Sequence, residues 1–422
     1  MKKRLATLGL GLVALTLAAC NWPGGDSKEQ GAAPPNYGMT SRYDQGDKII
    51  RGRYVAVLAD CEACHTVPGG KYLAGGNALA TPFGTLVPPN ITPDPTGIGN
   101  WSEADFHRMM KTGRGHDGKR LYPAMPYPAY SNMTDGDISD LWAYLTTVEP
   151  VSNKVEANQL PFPFNIRLAM AGWNLVNFTE NPWKPDPNAS AEINRGAYLV
   201  NGPGHCGTCH TPKSALGADK TSQFLQGASL QGWYAPNLTG DPRSGLGSWS
   251  ADDIVAYLRN GVNGRSIASG PMAEAVEAST SAMTDPDLKA IAAYLKTLPA
   301  GGVDKDAPAP PPERMARGEA IYRDNCSACH GGNGKGQPPL FPALAGDAVV
   351  MQPSVETLAR MVQEGSQAGH TKNAPTSPAM PALGWRLNDA EIADVLTYIR
   401  NSWGNRAAEV SASAVGDARG GS

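Results

Sequence analysis

The pentapeptide Cys61-Glu62-Ala63-Cys64-His65 occurs again as Cys206-Gly207-Thr208-Cys209-His210, and a third time as Cys326-Ser327-Ala328-Cys329-His330. In C-x-x-C-H the two thiols add to the vinyl groups of a haem, and two intervening residues give one helical turn the reach between them. The adjacent imidazole becomes the proximal iron ligand. A lone C-x-x-C also suits a redox dithiol or half a zinc site. Three copies, each followed at once by His and none with a second C-x-x-C nearby, fit those chemistries poorly. The expected cofactors are therefore three covalently bound c-type haems. Each would sit in a small module whose core the porphyrin completes.

Three modules of about 100 residues fit a chain of 422. The 48 Gly and 36 Pro predict many loops, and a formal net charge of -3 gives no basis for a nucleic-acid partner. Six of the seven cysteines belong to the motifs, leaving no pair for a disulfide. The seventh, Cys20, ends a leader with a basic start (Lys2, Lys3, Arg4) and an apolar run from Leu5 to Ala19, too short for an ordinary membrane span. Leu17-Ala18-Ala19-Cys20 looks like a bacterial lipobox, which predicts an exported lipoprotein cleaved before Cys20 and acylated there. Ordinary signal cleavage is the alternative. No other run of eighteen apolar residues exists, so membrane attachment is expected to be peripheral.

The modules share more than the motif. Arg51-Gly52-Arg53-Tyr54, Arg195-Gly196-Ala197-Tyr198 and Arg317-Gly318 precede the three motifs on helical patterns. Thr134 to Leu145, Thr284 to Leu295 and Asn388 to Ile399 close the units as amphipathic helices behind acidic first turns. This threefold repeat predicts that Gly52, Gly196 and Gly318 let the opening helix cross close over Tyr144, Tyr294 and Tyr398. Modules one and two also share Asn90-Ile-Thr92 through Trp101-Ser102 and Asn237-Leu-Thr239 through Trp249-Ser250, each ending in a Ser-x-x-Asp helix start. The two tryptophans are expected to pack on the following helix, with contact to a haem edge as the alternative.

The expected boundaries are a signal peptide over 1–19, a flexible tether over 20–40 and modules at 41–150, 191–300 and 314–404. A Pro-rich linker spans 301–313, and a polar tail 405–422. The connector 151–190 is too apolar for a free linker. Two readings stay open: packing across modules one and two, or a dock for a partner subunit.

A second protein ligand on each iron would make an electron carrier and close the site to small ligands. Met125 in Tyr122-Pro-Ala-Met125-Pro, Met272 in Gly270-Pro-Met272 and Met380 in Ser377-Pro-Ala-Met380-Pro each follow a motif His by roughly 50 to 60 residues, as distal ligands in small c-type domains do. A thioether is a soft, neutral ligand that raises the potential, and proline stiffens its loop. The predicted metal ligands are thus His65 with Met125, His210 with Met272 and His330 with Met380. Met133 and Met283 read as core residues at the closing-helix starts, Met351 and Met361 lie away from any Pro-Met loop, and His107, His116, His205 and His370 read as surface or hydrogen-bonding residues.

Cys61-Glu-Ala-Cys-His-Thr with Pro68-Gly-Gly, Thr81-Pro-Phe-Gly-Thr, Leu121-Tyr-Pro-Ala-Met-Pro-Tyr, Gly204-His-Cys-Gly-Thr-Cys-His-Thr-Pro and Tyr398-Ile-Arg-Asn-Ser-Trp-Gly-Asn resemble the trihaem cytochrome c subunit of bacterial membrane-bound dehydrogenases. The resemblance covers nearly the whole mature chain. It implies an all-α fold of three consecutive class I cytochrome c domains, and a subunit with no catalytic site of its own. In that family electrons pass from a flavoprotein or quinoprotein dehydrogenase subunit to ubiquinone, on the periplasmic side of the cell membrane, with room for a small third subunit. Gluconate or another sugar acid or polyol is the expected substrate of the partner. Alcohol is the runner-up, a molybdenum-containing aldehyde dehydrogenase a further alternative, and a multihaem peroxidase the rival from another class. Some members anchor through C-terminal apolar segments; here the tail is polar, so anchoring would fall to Cys20.

Overall fold

The protein is described here by a computed structural model that covers residues 45–302 and 307–419. The leader, Cys20 and the tether lie outside the described residues. In the first module, α1 (Gln45–Leu58) leads into α2 (Cys61–His65), followed by the ribbon β1 (Leu79–Thr81) and β2 (Gly84–Leu86), then α3 (Glu103–Thr112), α4 (Tyr127–Tyr130) and α5 (Asp135–Leu145). The connector carries α6 (Ala169–Asn177). The second module repeats the order: α7 (Ala191–Asn201), α8 (Gly207–His210), β3 (Ala228–Leu230), β4 (Trp233–Ala235), α9 (Ala251–Asn260), α10 (Pro271–Ala278) and α11 (Asp285–Thr297). The third has α12 (Pro312–Asn325), α13 (Ser327–His330), α14 (Glu356–Glu364), β5 (Ser366–Gln367), β6 (Ala379–Met380) and α15 (Asp389–Ile399), followed by α16 (Ala412–Arg419).

The fold is mostly helical, but the all-α expectation omitted one two-stranded antiparallel ribbon per module. These strands are two or three residues long, too short to show an alternating pattern in sequence.

Each module is built on one helix crossing: α1 on α5, α7 on α11 and α12 on α15. The glycines make the crossings possible. A Cβ at Gly52 would stand 1.8 Å from the Asp140 carbonyl oxygen and 2.8 Å from the Tyr144 Cβ, and one at Gly196 would stand 1.9 Å from the Ala290 carbonyl oxygen. At Gly318 the corresponding distance to the Asp394 carbonyl oxygen is 2.3 Å. Arginine–aspartate pairs brace the same crossings: Arg51 on Asp140 at 2.5 Å, Arg195 on Asp287 at 2.6 Å and Arg314 on Asp394 at 2.8 Å. The closing helices start where the sequence placed them, with Thr134, Thr284 and Asn388 accepting from N–H groups of the first turn. The Ser102–Asp105 and Ser250–Asp253 pairs form capping boxes at α3 and α9.

Modules one and two share a core, since Tyr54 and Leu58 pack in one cluster with Tyr198, Leu199 and Trp249. Module three docks on module two through separate contacts. The Tyr234 N–H donates to the Thr357 hydroxyl at 2.8 Å, and the Gln352 side-chain amide donates to the Ser244 carbonyl at 2.6 Å.

The connector packs across modules one and two on one side. The Tyr127 hydroxyl donates to Asn174 at 2.6 Å, Phe164 meets Phe83 edge-on, and the Trp173 indole donates to the Leu216 carbonyl of module two. Yet Phe162, Leu168, Leu175 and Val176 are 77–86% exposed. The polar tail is also less free than its composition suggests: α16 packs on α14 and α15, burying Val410 and Val415 in the third core. Among the described residues, no helix is long and apolar enough to cross a membrane.

Candidate functional site: three crevices with one internal cavity

Each C-x-x-C-H segment forms a single helical turn at the foot of its module's opening helix, so the two thiols emerge on one side. The following imidazole is fixed by a backbone carbonyl. His65 Nδ1 lies 2.7 Å from the Pro89 oxygen, His210 Nδ1 lies 2.6 Å from Pro236 and His330 Nδ1 lies 3.0 Å from Pro342. A carbonyl can only accept, so Nδ1 carries the proton and Nε2 keeps its lone pair for a metal. Burial lowers the proton affinity of all three rings, which keeps them neutral and ready to ligate. The thiols respond in the opposite direction. Burial pushes Cys61, Cys64 and Cys206 up to about 12 and Cys326 up to about 11, so they remain uncharged thiols.

All six motif cysteines and all three motif histidines line one continuous cavity of about 1180 Å³. Met125, Met272 and Met380 line it as well. Met125 packs on the first module's core and Met380 on the third's, while Met272 lies in the first turn of α10. The walls are largely apolar, with Ile98, Leu246 and Leu344 among them. Paired thiols, an oriented neutral imidazole and an apolar slot are the surroundings that a covalent porphyrin requires, and the residues present fit it. Among the described residues no cluster of acidic, His and Cys side chains suits a bare metal ion.

Other candidates fall as follows. Met133 is fully buried at the start of α5 and Met283 is 7% exposed before α11, where each packs in its module's core. Met283 also lines the cavity, as do Met109, Met110 and Met361. Trp101 and Trp249 pack in their cores as expected, and each also lines the cavity. His107 and His116 bond Asp135 and Asp105 on the surface, and His370 is exposed. His205 takes the hydrogen-bonding option rather than the surface one, half-buried against Tyr130 of module one and interacting with the Ala59 carbonyl.

The residues that sequence reasoning missed are the carbonyl partners Pro89, Pro236 and Pro342. A signal existed for two of them: Pro89 and Pro236 directly precede the repeated Asn-x-Thr of modules one and two. Asn90 and Asn237 fold that stretch by accepting from the backbone N–H groups of Thr92 and Thr239.

A helix crossing that carries C-x-x-C-H beneath an apolar slot, three times over, defines a protein of tandem c-type haem modules. The cytochrome c family model matches residues 49–149, 193–299 and 315–403. The chain is 40% identical over 384 residues to the gluconate 2-dehydrogenase cytochrome c subunit of Pantoea cypripedii, covering 85% of this chain and 86% of that one. It is 40% identical over 388 residues to the cytochrome c subunit of the quinone alcohol dehydrogenase of Gluconacetobacter polyoxogenes, covering 85% and 81%. It is 38% identical over 402 residues to the fructose dehydrogenase cytochrome subunit of Gluconobacter japonicus, covering 88% and 83%. The chain belongs to the cytochrome c family, in the branch of cytochrome c subunits of bacterial dehydrogenases.

Proposed function

We propose that this protein carries three haems c and is the electron-transfer subunit of a membrane-bound dehydrogenase complex, receiving electrons from a flavoprotein or quinoprotein catalytic subunit and passing them singly to ubiquinone. The observation that carries the reading is the cavity common to all three motifs, lined by the three carbonyl-oriented histidines and by the Pro-flanked Met125, Met272 and Met380. His65 with Met125, His210 with Met272 and His330 with Met380 would hold the three irons. Haem held by such pairs would supply one-electron exchange.

The protein's own residues do the rest. The cysteines would hold the ring, the carbonyls of Pro89, Pro236 and Pro342 hold each imidazole in one tautomer, and the apolar walls would limit water around a bound haem and so tune its potential. Three carriers in one chain let a two-electron oxidation feed a quinone in single steps.

The substrate belongs to the partner, and the likeness to a gluconate 2-dehydrogenase subunit favours gluconate or another sugar acid or polyol, with alcohol second. Cys20 is the membrane anchor, by acylation on the periplasmic side. The deciding experiment is tag-free purification from solubilised membranes, with identification of co-purifying chains and a reduction assay with gluconate, sorbitol and ethanol. A co-purifying flavoprotein or quinoprotein, with one substrate reducing all the haem, supports the reading. A solitary chain whose spectrum responds to peroxide alone would make it a peroxidase. Cys20→Ser protein that stays in the membrane fraction without its dehydrogenase would overturn the anchor.

A further inference from the structure

Modules one and two bury their motifs against each other. In the first, the segment that follows Met125 runs into α4 and ends on Tyr130, whose ring meets the His205 ring edge-on at 5.6 Å. His205 immediately precedes Cys206 of the second motif. The Tyr130 hydroxyl donates to the Ala59 carbonyl at 2.7 Å, two residues before Cys61, and the half-buried His205 imidazole lies within reach of the same carbonyl. Asn132, just beyond α4, donates to the Asn201 carbonyl of module two at 3.3 Å. The converse contact exists too: α10, which carries Met272, packs on α2, the first motif's own turn.

Each module's methionine segment therefore lies against the other module's haem-attachment segment. Backbone conformation marks the same seam. The residue before the first cysteine has a positive φ in both modules, Asp60 at 49° and His205 at 35°, a conformation uncommon outside glycine that Asp and His adopt more readily than most. The equivalent Asn325 of module three ends an ordinary helix.

We propose that His205 is a positioning residue that locks the two attachment segments together, so that haems one and two exchange electrons directly across this seam. With haem bound, the exchange would be a one-electron transfer from a reduced to an oxidised haem with no bond made or broken, and His205, Tyr130 and the Ala59 carbonyl would hold the two attachment segments in place for it. The inference rests on the haem reading above, and its test keeps the two apart.

The full-length holoprotein is first assayed for haem per chain. It is then partly reduced by a light pulse with a flavin photosensitiser and EDTA as the electron donor, and redistribution among haems is followed at the Soret band. Circular dichroism of the same band reports the proximity of the two rings. His205→Ala is expected to slow redistribution on the order of tenfold, within what an ångström of misplacement can produce, and to weaken the Soret couplet. His205→Gln, which can still reach the carbonyl, is expected to restore most of both. If His205→Ala loses haem, Tyr130→Phe decides, because it removes only the hydrogen bond to Ala59 and is expected to slow redistribution several-fold. Unchanged rate and couplet in these variants, with three haems retained, would overturn the proposal. Fewer than three haems in the unsubstituted protein would instead overturn the haem reading.

Discussion

The Tyr54 hydroxyl of the first module donates to the Asp287 carboxylate of the second at 2.7 Å. The repeat makes the relationship mutual, since the Tyr198 hydroxyl of the second module donates to Asp137 of the first at 2.5 Å. Each hydroxyl also accepts from the backbone N–H at the start of the other module's closing helix, Thr284 and Thr134. Module three has Ala320 two residues after its crossing glycine, so it lacks this device and docks by other contacts.

The two halves of this exchange differ in strength. Asp287 keeps a two-pronged contact with Arg195 when Tyr54 is lost, whereas the Asp137 carboxylate is held by the Tyr198 hydroxyl and the Thr134 side chain, with the Arg51 charge acting only from a distance. Tyr198→Phe is expected to cost about 2 kcal/mol and Tyr54→Phe about 1 kcal/mol, measured by denaturant unfolding.

Asp137 also sets a pH dependence. Burial raises its carboxyl from 3.8 to about 6, with the Asp140 charge adding to the rise and the Tyr198 hydrogen bond opposing it. Between about 4 and 6 the folded protein holds a proton that the unfolded chain has released. Stability from this group is therefore complete below about 4 and is lost as pH rises through 6, an effect of about 3 kcal/mol. Asp137→Asn keeps an acceptor for Tyr198, and the difference in unfolding free energy between it and the native chain is expected to show this slope and flatten above pH 7.

Substitution at the crossings tests the geometry directly. Gly52→Ala and Gly196→Ala put a methyl within 2 Å of a backbone oxygen and are expected to cost about 3 kcal/mol or more, with Gly318→Ala milder because its approach is 2.3 Å. Thermal unfolding of the three variants gives the ranking.

The axial assignments predict ligand binding. Replacing Met125, Met272 or Met380 singly with Leu is expected to open one iron, so that the reduced variant binds carbon monoxide at one haem, with a lowered potential there. Spectrophotometric titration with carbon monoxide checks each. No binding in the Met272 variant would redirect attention to Met283 or Met361, which line the same cavity.

The exposed side of the connector predicts a separation of stability from association. Leu175→Glu with Val176→Glu alters side chains that are 86% and 77% exposed, so folding stability is expected to stay within about 0.5 kcal/mol. Co-purification of the dehydrogenase subunit is expected to fall, as measured from solubilised membranes.

The sequence alone determined the covalent chemistry and the repeat. C-x-x-C-H is a local motif: one helical turn sets the spacing of Cys61, Cys64 and His65, and helical periodicity with acidic first turns marked the closing helices without knowledge of their partners. Gly52 and Tyr144 were legible as a crossing because three aligned copies showed them together. What only the tertiary structure decided is how the modules meet. Which carbonyl orients His65 depended on how the chain returns at Pro89, and the place of His205 depended on a neighbour 75 residues upstream, Tyr130. The short ribbons and the docking of Val415 left no periodic trace, because a few residues cannot show a period. The connector gave its hydrophobicity but not its exposure, since composition states how apolar a segment is, and only packing states which of its side chains find a partner.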